Sequence, residues 1–285
     1  MFPPAFSYHR PGSVQEAVQI LGANPDAKVL AGGHSLIPAM KLRLAAPGAL
    51  VDIGRIAELK GVQLNGGATI GATATYDEIR DAPGLVAQYP ILGEAINVIG
   101  DQQVRARGTM GGALAHADPA ADLTAVFLAI GGEVTVVGPN GERTVPADEL
   151  FVDLWTCSIE PEEIITSIRL AAPPANAAMA YEKHSHPASG YAVVGVAVVL
   201  GRGDGDRCES ARVAITGATS TATRAGSTEE ALTGASLDDA TIASAADVAA
   251  DGMQIHGDLY ASEEYRAHLV KVLTRRALKR AVGRP

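Results

Sequence analysis

The sequence predicts an α+β protein built from two N-terminal subdomains and a C-terminal domain in which a β-sheet packs with helices. Residues 6–54 alternate strand and helix patterns, residues 61–171 carry two hairpins separated by helical stretches, and a long apolar hairpin at 191–218 precedes three helices. Residues 172–178, "APPANAA", have the composition of a linker. We therefore expect three units, which span 1–57, 58–174 and 175–285.

The N-terminal unit has a βαβαβ pattern. Its strands are predicted at 6–10, 27–31 and 49–54. Ser13 is expected to cap the first helix because its hydroxyl can accept a backbone amide, and Gly22 is expected to end that helix. The second helix is predicted to follow the stretch "LAGGHSL" and to run to about Leu44.

The second unit is predicted to contain two hairpins, since Asn-Gly pairs at 65–66 and 140–141 supply hairpin turns. Asp118 followed by Pro119 is typical of a helix start, with the aspartate as its cap. Helical stretches are predicted near 76–81, 90–99 and 119–130, and a strand is predicted near 163–171.

The C-terminal unit is predicted to end in a long helix with a basic end. Its helical stretches are expected near 228–234, 239–251 and 262–282, and Ser262 is the expected cap of the last. The basic residues are Arg275, Arg276, Lys279, Arg280 and Arg284. Cations are favourable at the C-terminal end of a helix, so this run is either a solvated helix end or a docking patch for an acidic partner.

The composition excludes several classes of protein. With 285 residues, 47 % of them hydrophobic and 19 % charged, the chain is typical of an ordered globular protein. Its formal net charge of −9 argues against nucleic-acid binding. It shows no secretory signal and no apolar run of about 18 residues, so no transmembrane segment is expected. The two cysteines, Cys157 and Cys208, predict reduced thiols in the cytoplasm and are too few for an iron–sulfur cluster, which takes about four.

The stretch "LAGGHSL" (30–36) raises three interpretations. Its adjacent glycines let backbone approach a ligand and a helix start favours anions, so the amides from Gly32 to Ser35 suit a phosphate. An ordinary strand-to-helix turn capped by Ser35 explains the same residues equally well. A serine nucleophile is excluded, because its elbow requires Gly-x-Ser-x-Gly and Leu36 and Ile37 follow the serine here.

A second glycine-rich stretch lies at 100–123, where three glycines surround Thr109 and predict another loop with exposed backbone. Asp122 follows; as an ionised acceptor it suits a ribose hydroxyl or a ligand N–H, and an ordinary first-turn acid is the alternative. Two such stretches fit a dinucleotide. The chain nevertheless lacks Gly-x-Gly-x-x-Gly after a strand and lacks the Gly-Lys-Ser/Thr of a P-loop, so a dinucleotide would require a fold other than the Rossmann fold.

No cluster of titratable residues predicts a catalytic or metal site on this chain. His116, His184 and His186 share no metal-ligand spacing with carboxylates, and we interpret them as surface or packing residues. Arg105 and Arg107 are either phosphate clamps or exposed loop arginines.

The stretches "AGGHSL" and "GDQQVRARGTMGGALAHADPAAD", in that order, resemble the FAD-binding subunit of the molybdenum hydroxylases, the xanthine dehydrogenase family. The likeness extends over nearly the whole chain and is greatest to the medium, flavoprotein subunit of the carbon monoxide dehydrogenase type. It implies FAD as the cofactor and a two-subdomain FAD-binding fold of the vanillyl-alcohol-oxidase/PCMH type. It also implies a C-terminal flavoprotein domain.

The resemblance implies which residues contact FAD. The backbone amides of 31–35 would hold the pyrophosphate, Asp122 would meet the cofactor, and Ile165 would cover the adenine or the ring system. Lys183 would lie near the flavin and Tyr191 beside the isoalloxazine. The full set comprises Leu30, Ala31, Gly32, Gly33, His34, Ser35, Leu36, Ile99, Gly100, Thr109, Met110, Gly111, Gly112, Ala113, Asp122, Ile165, Lys183 and Tyr191.

The resemblance also implies an electron-transfer function. Electrons would leave a molybdenum cofactor on a large subunit and pass two-iron iron–sulfur clusters on a small subunit. They would then reach FAD on this chain and leave to an external acceptor such as a quinone, NAD or dioxygen. The implied assembly is a dimer of heterotrimers in the cytoplasm, either free or peripheral at the inner face of the membrane.

Carbon monoxide is the first substrate expected for such a complex, and xanthine, nicotinate, another heterocycle or an aldehyde are the alternatives. Two further functions stay open. One is a self-sufficient FAD oxidoreductase, for which the chain offers no acid or base candidate. The other is a scaffold subunit without flavin, against which the intact glycines of both stretches argue.

Overall fold

The N-terminal strands form a small parallel sheet, as their βαβαβ pattern predicts. The computed structural model describes residues 2–283 of the chain. The first elements are β1 (Ser7–His9), α1 (Val14–Ala23), β2 (Ala27–Leu30), α2 (Leu36–Lys41) and β3 (Ala49–Asp52). The strands pair in the order β1-β3-β2, so the carboxyl end of β2 delivers the first glycine-rich stretch to one edge of the sheet.

Both helices of this unit end at positions that differ from the prediction. Ser13 caps α1 as expected, but the helix continues one residue past Gly22, because an interior glycine costs only about 1 kcal/mol of helix propensity. The second helix, α2, ends at Lys41 instead of near Leu44. Arg43 adopts a left-handed φ of +61°, which is incompatible with a continuing helix.

The middle of the chain forms a five-stranded antiparallel sheet with helices. The strands of this part of the chain are β4 (Val62–Asn65), β5 (Gly67–Gly71), β6 (Gly132–Gly138), β7 (Gly141–Pro146), β8 (Phe151–Asp153), β9 (Thr156–Cys157) and β10 (Ile164–Leu170), of which β8 and β9 lie outside the five-stranded sheet. Its helices are α3 (Tyr76–Arg80), α4 (Leu85–Gln88), α5 (Pro90–Asn97), α6 (Gln102–Arg105), α7 (Met110–His116), α8 (Asp122–Ile130) and α9 (Ala147–Leu150). The sheet order is β4-β5-β10-β6-β7, and β8 pairs with β9. Both predicted hairpins are confirmed, with turns at Gly66 and at residues 139–140.

The helix expected at 119–130 begins three residues later, at Asp122. Asp118 does not cap it, because the Asp118 carboxylate accepts a backbone amide at 2.9 Å within the preceding turn. The Pro119 carbonyl would begin the hydrogen bonding of a helix, but it accepts the Gly217 amide at 2.6 Å instead. A contact with a segment distant in sequence therefore overrides the local cap signal.

The C-terminal part is an antiparallel sheet with three helices. The strands are β11 (Ala178–Ser185), β12 (Ala192–Arg202), β13 (Cys208–Thr216) and β14 (Thr223–Arg224), paired in chain order. The helices are α10 (Gly226–Leu232), α11 (Asp239–Asp247) and α12 (Glu263–Ala281), and Ser262 caps the last as predicted. No sequence pattern indicated β11, which forms one edge of this sheet.

The C-terminal sheet is covered on both faces. Val196 and Val198 of β12 pack in a cluster with residues of α12, and the alternate residues Ala197 and Val199 pack in the cluster that contains α8. Burial on both faces explains why β12 is continuously apolar instead of alternating. Among residues 2–283, no helix combines the length and the apolar character needed to cross a membrane.

The basic end of α12 makes contacts within the chain. Arg280 donates to Glu94 of α5 at 2.6 Å and lies 2.9 Å from Glu182 of β11. It also donates to the Tyr181 carbonyl at 2.5 Å. Neither sequence interpretation of the basic run included this contact, and Arg284 lies outside the described residues.

We expect Arg280→Ala to lower the free energy of unfolding by about 1–2 kcal/mol, because it removes two ion pairs that solvent screens in part. Urea unfolding of the full chain measures the loss. Arg276→Ala, at an exposed position of the same helix, is the matched control and should change stability by less than about 0.5 kcal/mol. Equal losses in the two variants would show that Arg280 does not join α12 to α5.

Candidate cofactor site

A cavity of about 630 Å³ lies where the N-terminal sheet, the start of α7 and the turn before β12 meet. This volume is within the usual range of cavities that hold ligands. Its wall is formed by residues within 27–36, 99–104, 108–123, 155–165 and 189–191, together with Ala39, Ala45, Ile53, Ala72 and Tyr76. All the predicted site residues line it except Met110 and Lys183.

The turn between β2 and α2 presents a row of backbone amides to the cavity. Gly33 has a left-handed φ of +78°, which glycine adopts without strain. Within residues 2–283, no amide from Gly32 to Ser35 donates a hydrogen bond to another residue. Ser35 precedes α2 without a side-chain cap, so the interpretation as a serine-capped turn is wrong. Successive N–H groups around a left-handed residue form a concave site that suits an anion.

The two glycine-rich stretches touch each other. A side chain on Gly32 would overlap the Arg107 carbonyl oxygen, so the close approach of the two stretches requires glycine there. A side chain on Gly111 would likewise collide with the backbone of Ala72, 2.6 Å from its carbonyl oxygen. Packing of the protein against itself therefore explains these two glycines without any ligand.

The second stretch is a helix start, not an exposed loop. Thr109 caps α7 by accepting the Gly112 amide at 3.1 Å, and the amides of residues 110 and 111 donate to carbonyls that follow β5. These amides already have partners, so the second stretch offers no row of free amides, although the backbone of Gly111 and Gly112 does line the cavity. Met110 is buried in the core at 0 % exposure and does not line the cavity. The residues of this stretch that do line it include Thr109, Gly111, Gly112 and Ala113.

Asp122 lies in the cavity wall and has two partners from β11. Tyr181 donates its hydroxyl to Oδ1 of Asp122 at 2.6 Å, and Lys183 Nζ lies 2.9 Å from the same oxygen. Lys183 also donates to the Val98 carbonyl at 3.1 Å, and only 3 % of its side chain is exposed. Lys183 therefore lies behind Asp122, and Tyr181 is a partner that no sequence signal indicated.

The surroundings of Asp122 set its capacity to accept hydrogen bonds. Burial raises the pKa of Asp122, while the charge of Lys183 and the hydrogen bond from Tyr181 oppose that rise. Burial, and then the Asp122 carboxylate, raise the pKa of Tyr181, so its hydroxyl stays protonated and donates. An ionised carboxylate offers about four acceptor sites, so Asp122 retains acceptor capacity beyond these partners.

Aromatic and aliphatic side chains form much of the remaining wall. Ile165 lies on β10 and is buried, and Tyr191 lies in the turn before β12 and is 45 % exposed. Tyr76 and Trp155 were not predicted but line the cavity as well. Burial raises the pKa of Tyr76, and the nearby Asp122 and Tyr191 add to the rise.

Some features of Trp155 could have identified it as a residue of the cavity wall. It is the only tryptophan of a chain with 4 % aromatics, it is 60 % exposed, and its φ of +50° is unusual for a large residue. An exposed aromatic residue in a loop is typical of a binding surface. Other wall residues that no pattern indicated are Lys28, Val104, Asp118, Cys157 and Ser189.

Arg105 and His184 have structural partners, while Arg107 is exposed, as the alternative interpretation predicted. Arg105 donates to the Ile99 carbonyl at 2.9 Å, which holds the segment before α6 in place and does not support a phosphate clamp. His116 lines the cavity at the end of α7. His184 packs edge-on against Tyr265 with ring centres 6.2 Å apart, as a packing residue should.

Comparison with known proteins identifies the class. Residues 4–173 match the family described as the FAD binding domain in molybdopterin dehydrogenase, and residues 179–281 match the CO dehydrogenase flavoprotein C-terminal domain. The chain belongs to this family of FAD-binding subunits. The resemblance, the fold class and FAD as the cofactor, all expected from the sequence, are confirmed by these matches and by the relatives below.

Particular relatives are similar over their whole lengths. The chain is 39 % identical to the carbon monoxide dehydrogenase medium chain of Hydrogenophaga pseudoflava, over 100 % of this chain and 99 % of the relative. It is 34 % identical to the nicotine 6-hydroxylase medium subunit of Paenarthrobacter nicotinovorans, over 99 % of both. The solved carbon monoxide dehydrogenase from Hydrogenophaga pseudoflava superposes with a TM-score of 0.95 at 40 % identity, covering 99 % of each chain. Quinoline 2-oxidoreductase from Pseudomonas putida 86 superposes with a TM-score of 0.92 at 32 % identity, covering 99 % of this chain and 98 % of that chain.

Proposed function

We propose that this chain holds FAD in the cavity and acts as the electron-transfer subunit of a molybdenum hydroxylase. The observation that carries the proposal is the row of unbonded amides from Gly32 to Ser35 at the wall of a cofactor-sized cavity. The pyrophosphate of FAD is an anion with several acceptor oxygens, and backbone N–H groups around Gly33 match it. FAD supplies the chemistry when bound, because its ring accepts and releases electrons.

The chain's own residues would bind and orient the cofactor. Asp122, fixed by Tyr181 and Lys183, would accept a hydrogen bond from a hydroxyl or an N–H of the cofactor. Tyr191 and Ile165 would contact its flat ring systems. The set expected from the resemblance stays a proposal, with Met110 and Lys183 contributing through packing and charge instead of direct contact. No side chain of this chain is required as an acid, a base or a nucleophile.

The same proposal includes the partners. Relatives named as medium chains and medium subunits support a complex with a large subunit that holds the molybdenum cofactor and a small subunit that holds two-iron iron–sulfur clusters. We propose a dimer of such heterotrimers, with a quinone as the external acceptor. Carbon monoxide is the substrate we propose for the complex, since 39 % identity to a carbon monoxide dehydrogenase chain exceeds the 34 % to nicotine 6-hydroxylase.

We expect the purified full chain to be yellow and to release one FAD per chain when it is denatured. The measurement is the flavin absorbance of the native protein, followed by chromatography of the released cofactor. A colourless chain that does not take up added FAD would contradict the proposed function and would support a scaffold subunit without flavin. Gel filtration at several concentrations should accompany the measurement, so that aggregation is not mistaken for loss of cofactor.

Co-purification tests the partners. A tag on this chain, in its native host, should recover two further chains together with molybdenum and iron. The recovered complex should reduce an artificial acceptor with carbon monoxide. If only a heterocycle or an aldehyde, and not carbon monoxide, supports this reduction, the complex is a different molybdenum hydroxylase of the same family. Recovery of a yellow chain without partners would instead favour a self-sufficient flavoenzyme.

A further inference from the structure

The turn between β11 and β12 is closed on itself and borders the cavity. Residues 186–191 form it, and Ser189, Gly190 and Tyr191 line the cavity wall. The His186 amide donates to the Tyr191 carbonyl at 2.8 Å, and the Gly190 amide donates to the His186 carbonyl at 2.8 Å. These two backbone hydrogen bonds of His186 therefore close the turn, and the position of Tyr191 depends on them.

The imidazole of His186 fills the inside of the turn. Its Nδ1 lies 3.2 Å from the Ala188 amide and 3.3 Å from the Ser189 amide, both of which donate to it. Its ring packs on Tyr260, with the ring centres 4.3 Å apart. An Nδ1 that accepts two amides carries no proton, so the ring is the neutral tautomer with hydrogen on Nε2.

We propose that His186 is a positioning residue that holds Tyr191 at the cavity and does so only while its imidazole is neutral. Protonation would place a hydrogen on Nδ1 between two amide hydrogens, so both bonds to the ring would be lost. The turn would then loosen and its three wall residues would cover the cofactor less well. This inference rests on the proposed function, since it requires FAD to occupy the cavity.

Several other titratable groups lie on the segments that face this ring. Tyr260 packs on it, and Asp258 of the same loop accepts the Tyr260 amide at 2.8 Å and pairs with Arg266. Tyr191 closes the turn, and burial, followed by the charge of Asp118, raises the pKa of Tyr191. His184 lies on β11, two residues before His186, and the histidines of the cavity wall itself are His34 and His116. A pH effect on FAD binding must therefore be assigned to His186 by substitution.

Two variants of the full chain separate the roles of the ring. In His186→Asn the amide oxygen can accept the same two backbone amides, as Asn does in Asx turns, and it cannot be protonated near neutral pH. In His186→Leu the ring is replaced by an apolar side chain that accepts nothing. FAD affinity is measured from pH 5 to pH 8 by the fluorescence of added FAD, and the exchange of the Ala188 and Ser189 amides is measured without FAD.

We expect the FAD affinity of the natural chain to fall by about three- to tenfold when the pH is lowered from 8 to 5. His186→Asn should bind FAD with unchanged affinity at pH 8 and lose this pH dependence. His186→Leu should bind about three- to tenfold more weakly at every pH, with fast exchange of both amides. Slow amide exchange should be retained in His186→Asn.

Two results would overturn the inference. One is a His186→Leu variant with the natural affinity for FAD and slow exchange of the Ala188 and Ser189 amides, because the imidazole would then not be needed to hold the turn. The other is a His186→Asn variant that keeps the natural pH dependence, which would mean that protonation of His186 does not cause it. If the natural chain binds no FAD, the proposed function fails, and the amide exchange of the two variants still decides whether His186 holds the turn.

Discussion

Gly33→Val is expected to weaken FAD binding by more than about a hundredfold, because charge-assisted hydrogen bonds from several amides are lost together. Gly33 has a φ of +78°, which valine avoids, and a Cβ there would lie 3.1 Å from Leu30 and from Ile37. The turn must therefore change its backbone conformation, and the amides from Gly32 to Ser35 would no longer converge on one anion. FAD titration followed by absorbance measures the effect.

The matched control is Gly66→Val. Gly66 has a similar φ of +86° in the β4–β5 turn, no atom lies within 4 Å of the position that a Cβ would take there, and it is not part of the cavity wall. The two variants should therefore lose comparable stability from the strained backbone, about 1–3 kcal/mol each. Only Gly33→Val should lose FAD. Equal FAD affinity in the two variants would show that the turn before α2 does not bind the pyrophosphate.

Elements whose signals are local were predictable from the sequence. The turn at Gly66 and the caps at Ser13 and Ser262 each depend on a few neighbouring residues, and the structure has them where expected. The start of α8 was predicted wrongly because its determinant, the hydrogen bond from Gly217 to Pro119, comes from another part of the chain. Local propensity contains no information about such a partner.

The candidate site was predictable to the same extent. The glycines at 32 and 33 predicted a residue stretch that lines the cavity. In the structure, Gly32 is required by the close approach of the Arg107 carbonyl, and Gly33 provides the left-handed conformation of the turn. The helix α7 was missed because glycine is a poor helix former, yet Gly111 must be small to pack on Ala72. Pairing of Asp122 with Tyr181 and Lys183 joins a helix to a strand distant in sequence, and a single sequence does not reveal it.

Lys183→Met should lower the free energy of unfolding by about 3–5 kcal/mol at neutral pH, because it leaves a buried carboxylate without its counter-charge. Asp122 is 5 % exposed, and after the substitution the Tyr181 hydroxyl would be the one left of its two side-chain partners Tyr181 and Lys183. Methionine fills a similar volume, so loss of packing contributes little. Urea unfolding of the full chain measures the loss. The double variant Asp122→Asn with Lys183→Met removes both charges and should recover most of the stability.

The dependence on pH tests the cause. Burial already raises the pKa of Asp122, and removal of the Lys183 charge, which opposes that rise, should raise it further. An acid with a raised pKa in the folded state contributes stability below its ordinary pKa of about 4, and this contribution is lost as the pH rises through the folded-state pKa. The deficit of Lys183→Met should therefore be small in acid and grow toward neutral pH, while the double variant shows little such trend. A deficit that stays constant with pH, or a double variant as unstable as the single one, would mean that charge pairing does not hold Asp122 in the cavity wall.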